Sequence, residues 1–125
     1  MVVGLGTDLI EIARIAQSID RFGERFLARV FTAQEIAFCR RKKSPAESFA
    51  ARFAAKEAAA KALGTGISRG VSWLELEVVR AHGSAPTLVL SGRAAQRAQS
   101  LGVRRASLSL THSRSTALAV VILEG

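Results

Sequence analysis

The stretch Ser44-Pro-Ala-Glu-Ser-Phe-Ala-Ala-Arg52-Phe-Ala-Ala-Lys-Glu57-Ala-Ala-Ala-Lys61-Ala-Leu-Gly64 decides the fold. A serine before Pro45, with Glu47 at the third helical position, opens a helix, and Gly64 closes it about five turns later. Its interior is mostly alanine, which lets neighbouring backbones approach closely, while Phe49 and Phe53 mark a buried stripe that leads to Glu57. Glu57 and Lys61 stand at i,i+4 on one helical face. Taken alone, such a pair is a surface ion pair on a solvated helix. A carboxylate at the end of an apolar stripe, however, costs free energy unless it is paired or bound to a metal.

Upstream, residues 2–7 predict a short strand containing Gly4 and Gly6, followed by a helix with Ile12, Ile15, Ile19 and Phe22 at steps of three and four. Asp8 stands at the junction. It reads either as the N-cap of that helix, with Glu11 completing a capping box, or as a second functional carboxylate. A dinucleotide fingerprint is excluded because Leu9 occupies the place of the required third glycine. Thr32-Ala-Gln-Glu35 is another capping box and predicts a helix to about Arg41.

Downstream of the long helix, residues 64–70 form a loop of small residues and backbone donors, suited to a phosphate or to nothing in particular. Residues 74–78 alternate as a strand and pair with 87–91 across a Gly83/Pro86 turn. A short helix over 93–101 ends at Gly102, and strands follow over 107–112 and 116–123. The last is apolar on both faces, which predicts that both are covered, one of them by another subunit. The fold class is α+β: an antiparallel sheet packed with one long helix and shorter helices, residues 1–125 making one domain.

A chain of 125 residues buries roughly two-thirds of its unfolded surface in a single core. The one cysteine, Cys39, excludes an internal disulfide, and the N-terminal residues lack a signal-peptide pattern. The longest apolar run, 117–123, is far short of the ~20 residues a bilayer requires. A cytoplasmic protein without a membrane partner is expected. Eighteen Lys+Arg oppose ten Asp+Glu, net +8, and 14 of the 18 cations are arginine, so the partner is anionic. With no Tyr and no aromatic pattern for stacking bases, nucleic acid is the second choice. A small basic nucleic-acid module has no use for Asp8 and Glu57 on a shared site.

Asp8 and Glu57 are hard oxygen donors without a Cys or His cluster, which favours Mg²⁺ over zinc. One or two carboxylates suffice for magnesium when substrate phosphates and water fill the other positions. Lys61, a turn beyond Glu57, would reach the same phosphates. His112 has no G-x-S-x-G elbow to serve, which excludes a serine-hydrolase reading.

Three motifs carry a resemblance: G-x-G-T-D-x-x-E-I-x-R over 4–14, R-F-A-A-K-E-A-A-A-K-A-L-G-T-G-I over 52–67, and S-L-T-H-S over 109–113. In this order they resemble the bacterial holo-acyl-carrier-protein synthases, a family of 4'-phosphopantetheinyl transferases. The resemblance implies a homotrimer that moves the phosphopantetheine of coenzyme A onto a serine of apo acyl carrier protein, in fatty acid biosynthesis, releasing 3',5'-ADP. It implies that Asp8 and Glu57 hold Mg²⁺, that Lys61 neutralises the transferring phosphate, and that Arg52 binds the 3'-phosphate. Gly64, Thr65, Gly66, Ile67, Thr111, His112 and Ser113 would wall the coenzyme A site. Glu57 or a metal-bound water would take the serine proton. Arg14, Arg21 and Arg25 share one face of a continuous helix and would dock the acidic carrier protein. The turn at 113–116 departs from the family, which often has an acidic or aromatic residue there.

Overall fold

The computed structural model describes residues 1–81 and 83–125. In chain order its elements are β1 (Val2–Glu11), α1 (Ile12–Phe22), α2 (Glu24–Val30), α3 (Ala33–Arg40), α4 (Pro45–Leu63), β2 (Leu76–Val79), β3 (Thr87–Leu90), α5 (Gly92–Ser100), β4 (Arg105–His112) and β5 (Thr116–Glu124). An antiparallel sheet runs β1-β5-β4, and β2 pairs with β3 in a separate antiparallel ribbon. The long helix α4 lies against the three-stranded sheet, so the α+β expectation holds.

Directly opposed residues of a sheet share a face. The registers therefore sort the sheet into two sets of rows. Gly4-Leu123-Ala106, Gly6-Val121-Leu108, Asp8-Ala119-Leu110 and Ile10-Ala117-His112 share the inner face. Ala117, Ala119, Val121 and Leu123 are fully buried there, beneath α4. The outer rows are Leu5-Ile122-Ser107, Thr7-Val120-Ser109 and Leu9-Leu118-Thr111. Within one chain this outer face is open: Leu5 and Leu9 are 60% and 63% exposed. The expectation that both faces of the last strand are covered is thus met on one face only.

Four local expectations are corrected. Asp8 is not a helix cap, because β1 continues through Glu11 and the ladder to β5 takes the backbone groups that a capping box would have served. Glu11 holds the N-cap position of α1 without a side-chain bond. Gly23, at φ +56, ends α1 by donating to the Ile19 carbonyl, so Arg25 stands on a different helix from Arg14 and Arg21. The face shared by the three arginines on a continuous helix does not exist, and Phe22 is exposed. Residues 73–75 form a 3₁₀ turn, not a strand, held by Glu75, which accepts from the backbone of Ser72 and of Arg93. Ser44 precedes Pro45 as expected but makes no capping bond, whereas the Thr32/Glu35 box is complete.

The helix α4 is buried on most of its circumference, and its one fully buried cation is Lys56 among the described residues. Its ammonium lies 2.8 Å from Glu35 Oε1 and donates to the carbonyls of Trp73 and Leu76, each at 2.9 Å. Glu35 in turn accepts from the backbone N–H of Thr32 and Val78. Every donor of the ammonium is engaged. The pair ties α3, α4 and β2 together at one point. Lys56→Met is expected to destabilise the chain by about 3–5 kcal/mol in urea denaturation, because Glu35 is left buried without its counter-ion. The double variant Lys56→Met/Glu35→Leu should recover most of that loss.

Candidate active site

Asp8 and α4 meet because β1 carries no side chain where it crosses the helix. A Cβ on Gly4 would overlap the Ala62 carbonyl, and one on Gly6 the Ala58 carbonyl. Two residues further along the same inner face, Asp8 arrives beside the turn that carries Glu57 and Lys61. The Lys61 ammonium donates to Asp8 Oδ1 at 3.2 Å and to the Thr7 carbonyl at 3.0 Å. Asp8 is largely buried and Lys61 half exposed. Burial, and then the neighbouring Asp8 carboxylate, push the Glu57 carboxyl above its ordinary range, against the pull of Lys61. The three side chains line a cavity of about 420 Å³, floored by Ile15, Phe26 and Phe53 and bordered by Arg14.

A second, larger cavity of about 620 Å³ lies against the first turns of α4. Arg52 stands in its wall at 4% exposure. One guanidinium nitrogen donates to Ser48 Oγ at 3.2 Å, and Nε has no partner. No carboxylate of the described residues lies within ion-pair distance of it, and burial draws its pKa down. Lys42, Lys43, Arg80 and His112 border the same space. The one acid present, Glu47, has Oε2 3.9 Å from His112 Nδ1. A buried guanidinium without an ion-pair partner among the described residues, amid further cations, is chemically suited to an anion with several oxygens.

Comparison with known proteins gives this geometry its setting. Residues 4–121 match the model of the 4'-phosphopantetheinyl transferase superfamily. The chain belongs to that superfamily. It is 56% identical over 124 residues to the holo-[acyl-carrier-protein] synthase of Koribacter versatilis, covering 99% of each chain. Its fold is similar to the crystal structure of the holo-[acyl-carrier-protein] synthase of Neisseria meningitidis, with TM-score 0.90, 34% identity and full coverage of both chains. It is also similar to the Helicobacter pylori enzyme crystallised in complex with coenzyme A, with TM-score 0.85 and 33% identity, covering 96% of this chain and 99% of that one.

Within this superfamily member the expected site residues separate into two groups. Asp8, Glu57, Lys61 and Arg14 share one cavity, and Arg52 and His112 share the other. Thr111 borders the second cavity, but strand alternation puts its side chain in the outer row while that of His112 is in the inner one. The hydroxyl of Ser113 is engaged in the β4–β5 turn, 2.9 Å from Thr116 Oγ1. Gly64, Thr65, Gly66 and Ile67 line neither cavity. Gly64, at φ +77, is the left-handed cap of α4, and the N–H groups of Thr65 and Gly66 both point back to the Ala60 carbonyl. Of the loop's backbone donors, those of Gly64, Thr65, Gly66 and Ser68 are thus engaged within the chain.

Several neighbours escaped the sequence reading. Lys42, Lys43, Arg80 and Phe38 line the cavity with Arg52, and of these only the two lysines carried a signal in the sequence, as part of the basic run Arg40-Arg41-Lys42-Lys43. Arg25 borders a further cavity of about 450 Å³ with Phe22, Phe26 and Arg29, which adjoins the Asp8 cavity through Ser18 and Phe26. The i,i+4 spacing of Arg25 and Arg29 was the available signal.

The raised Glu57 carboxyl has a consequence for stability. A carboxyl whose folded-state pKa exceeds its unfolded value favours the fold when protonated, and that contribution is lost as pH rises through the folded-state value. In chelator near pH 8, Glu57→Gln is therefore expected to melt at a higher temperature than the wild type. The difference should close below about pH 4, where an unperturbed glutamate is itself protonated. Calorimetry across that range checks both the sign and the window.

Proposed function

We propose that the protein transfers the 4'-phosphopantetheine of coenzyme A to a serine of an apo acyl carrier protein, releasing 3',5'-ADP, as a cytoplasmic enzyme of fatty acid biosynthesis. The observation that supports this reading best is the convergence of Asp8, Glu57 and Lys61 on one cavity from two separate elements. The reaction breaks the bond between the β-phosphorus and the oxygen of the nucleotide's phosphate and forms one from the serine oxygen. Lys61 presents a point charge to the phosphate oxygens on which negative charge develops. Glu57, whose carboxyl is held above its ordinary range by burial and by Asp8, is suited to accept the serine proton.

Two opposed carboxylates, one desolvated and neither committed to a structural hydrogen bond with a backbone N–H, fit a small hard dication. Asp8 and Glu57 would hold Mg²⁺, which would neutralise the pyrophosphate and draw the two acids' mutual repulsion down. Asp8→Asn and Glu57→Gln are each expected to lower turnover by at least about 100-fold. Mass spectrometry of an apo carrier protein, looking for one added phosphopantetheine, reads this out. Independently of turnover, Mg²⁺ should raise the melting temperature of the wild type and leave that of Glu57→Gln unmoved. Equal responses in the two would sink the metal assignment.

Two further features support a shared site in a homotrimer. The apolar outer rows of the sheet offer a surface for neighbouring copies, and the Arg52 cavity is separate in one chain from the Asp8 cavity. A nucleotide held by Arg52 and His112 of one subunit would then present its pyrophosphate to Asp8, Glu57 and Lys61 of the next. Arg14 borders the first cavity and Arg25 and Arg29 the one beside it, and these with Arg21 would receive the acidic carrier protein, in a salt-sensitive step. Mixing Asp8→Asn chains, crippled in turnover, with Arg52→Ala chains, weakened for coenzyme A through KM, should give more activity at low coenzyme A than either alone, since some boundaries then carry two intact halves. No such gain, together with an active species of 13.3 kDa by light scattering, would rule the arrangement out.

A further inference from the structure

Two cations of the larger cavity converge on one aromatic ring. The Arg52 guanidinium carbon lies 4.2 Å from the centroid of Phe38, and the Lys42 ammonium 4.5 Å from it. They come from different parts of the chain: Lys42 from the turn after α3, Arg52 from the second turn of α4. Phe38 stands on α3, partly buried, with its side chain at the cavity wall. Among the described residues Arg52 has one hydrogen bond, to Ser48, and no carboxylate within ion-pair distance, Glu35 acting on it only from farther off. The ring face is thus its other electrostatic partner, and it serves Lys42 as well.

We infer that Phe38 is a positioning residue for nucleotide binding: its aromatic ring holds Arg52 and Lys42 in one anion receptor while donating nothing that competes with the anion. A carboxylate in that place would hold the two cations more strongly and would cancel their charge. A neutral ring holds them and leaves the charge available. The isolated cation gains little from the ring if it is solvated, but Arg52 is almost wholly desolvated, which is the condition under which such contacts are strongest. This inference rests on the reading of the cavity as the receptor for the nucleotide's 3'-phosphate.

The test compares coenzyme A with 3'-dephospho-coenzyme A as substrates of the full-length protein. The wild type should prefer coenzyme A through KM, and Arg52→Ala should remove that preference. Phe38→Leu is expected to cut the preference by about fivefold with kcat little changed, and Phe38→Tyr, which keeps the ring face, to restore it. Loss of a packing residue alone would weaken both substrates together and lower the melting temperature without touching their ratio. An unchanged ratio in Phe38→Leu, alongside a lost one in Arg52→Ala, would overturn the role of Phe38 and leave the cavity's assignment standing. If Arg52→Ala keeps the wild-type ratio, the cavity reading itself fails and the inference with it. Should Phe38→Leu fold poorly, Phe38→Met, whose unbranched side chain adapts to an irregular gap, carries the same comparison.

Discussion

The structure depends on backbone lying against backbone where β1 crosses α4. Gly4 and Gly6 face Ala62 and Ala58, and no larger residue fits at either glycine without moving the helix. Two residues of strand advance about 6.7 Å, and four residues of helix advance about 6 Å. The two periods are close enough that glycines two apart can meet alanines four apart and stay in step. That match sets the register of strand on helix. Asp8, the next inward position of the strand, then falls beside the turn of Glu57 and Lys61 with little freedom to be elsewhere. The alanine richness of α4 and the glycine pair of β1 are one device seen from two sides.

The other side of α4 is fixed by charge instead of by small residues. Lys56 is adjacent to Glu57 in sequence, and a helix turns about 100° per residue, so the two carry opposite burdens. Lys56 faces inward to Glu35 and two carbonyls, while Glu57 faces the cavity. The buried pair adds little net stability over an apolar substitute of the same volume. What it does is penalise every rotation or slide of α4 that would separate Lys56 from Glu35. The glycine contact and the ion pair therefore constrain the same helix from opposite faces, and Glu57 sits between them.

Much of the fold was legible because its signals are local. Pro45 and Gly64 bracket α4, Thr32 and Glu35 cap α3, and the alternation of residues 107–112 survives as β4. The inner and outer rows of the sheet were not legible, because they depend on register, and register is a property of two strands at once. Thr111 and His112 were consequently grouped although they face opposite ways. Of the two readings open for Asp8, the helix cap fails for a related reason: the ladder to β5 satisfies the same backbone groups over a longer stretch. The carboxylate pair itself was found from residue type and motif. The surroundings of Arg52 were not, since Phe38, Lys42 and Arg80 reach it from three separate segments.

Lys61 shows how one side chain can belong to both the fold and the site. In the free chain its ammonium joins strand to helix through Thr7 and Asp8. Two of its three donors are so engaged, and the third, on a half-exposed stem, is open to the cavity. A surface pair of this kind contributes at most about 1 kcal/mol, so a phosphate that draws the ammonium away from Asp8 meets little resistance. The same movement would leave Asp8 without its cation just as the anion arrives. A chain with net charge +8 can draw acidic reactants to its surface, while the cavity at the centre sets two acids against Lys61 and Arg14. Among the described residues only Lys61 lies within ion-pair distance of either acid, so an anion that draws it away leaves both carboxylates without a close cation until something else binds them. The half-committed lysine and the uncomfortable Glu57 are therefore features of a site whose charge balance closes on its ligands.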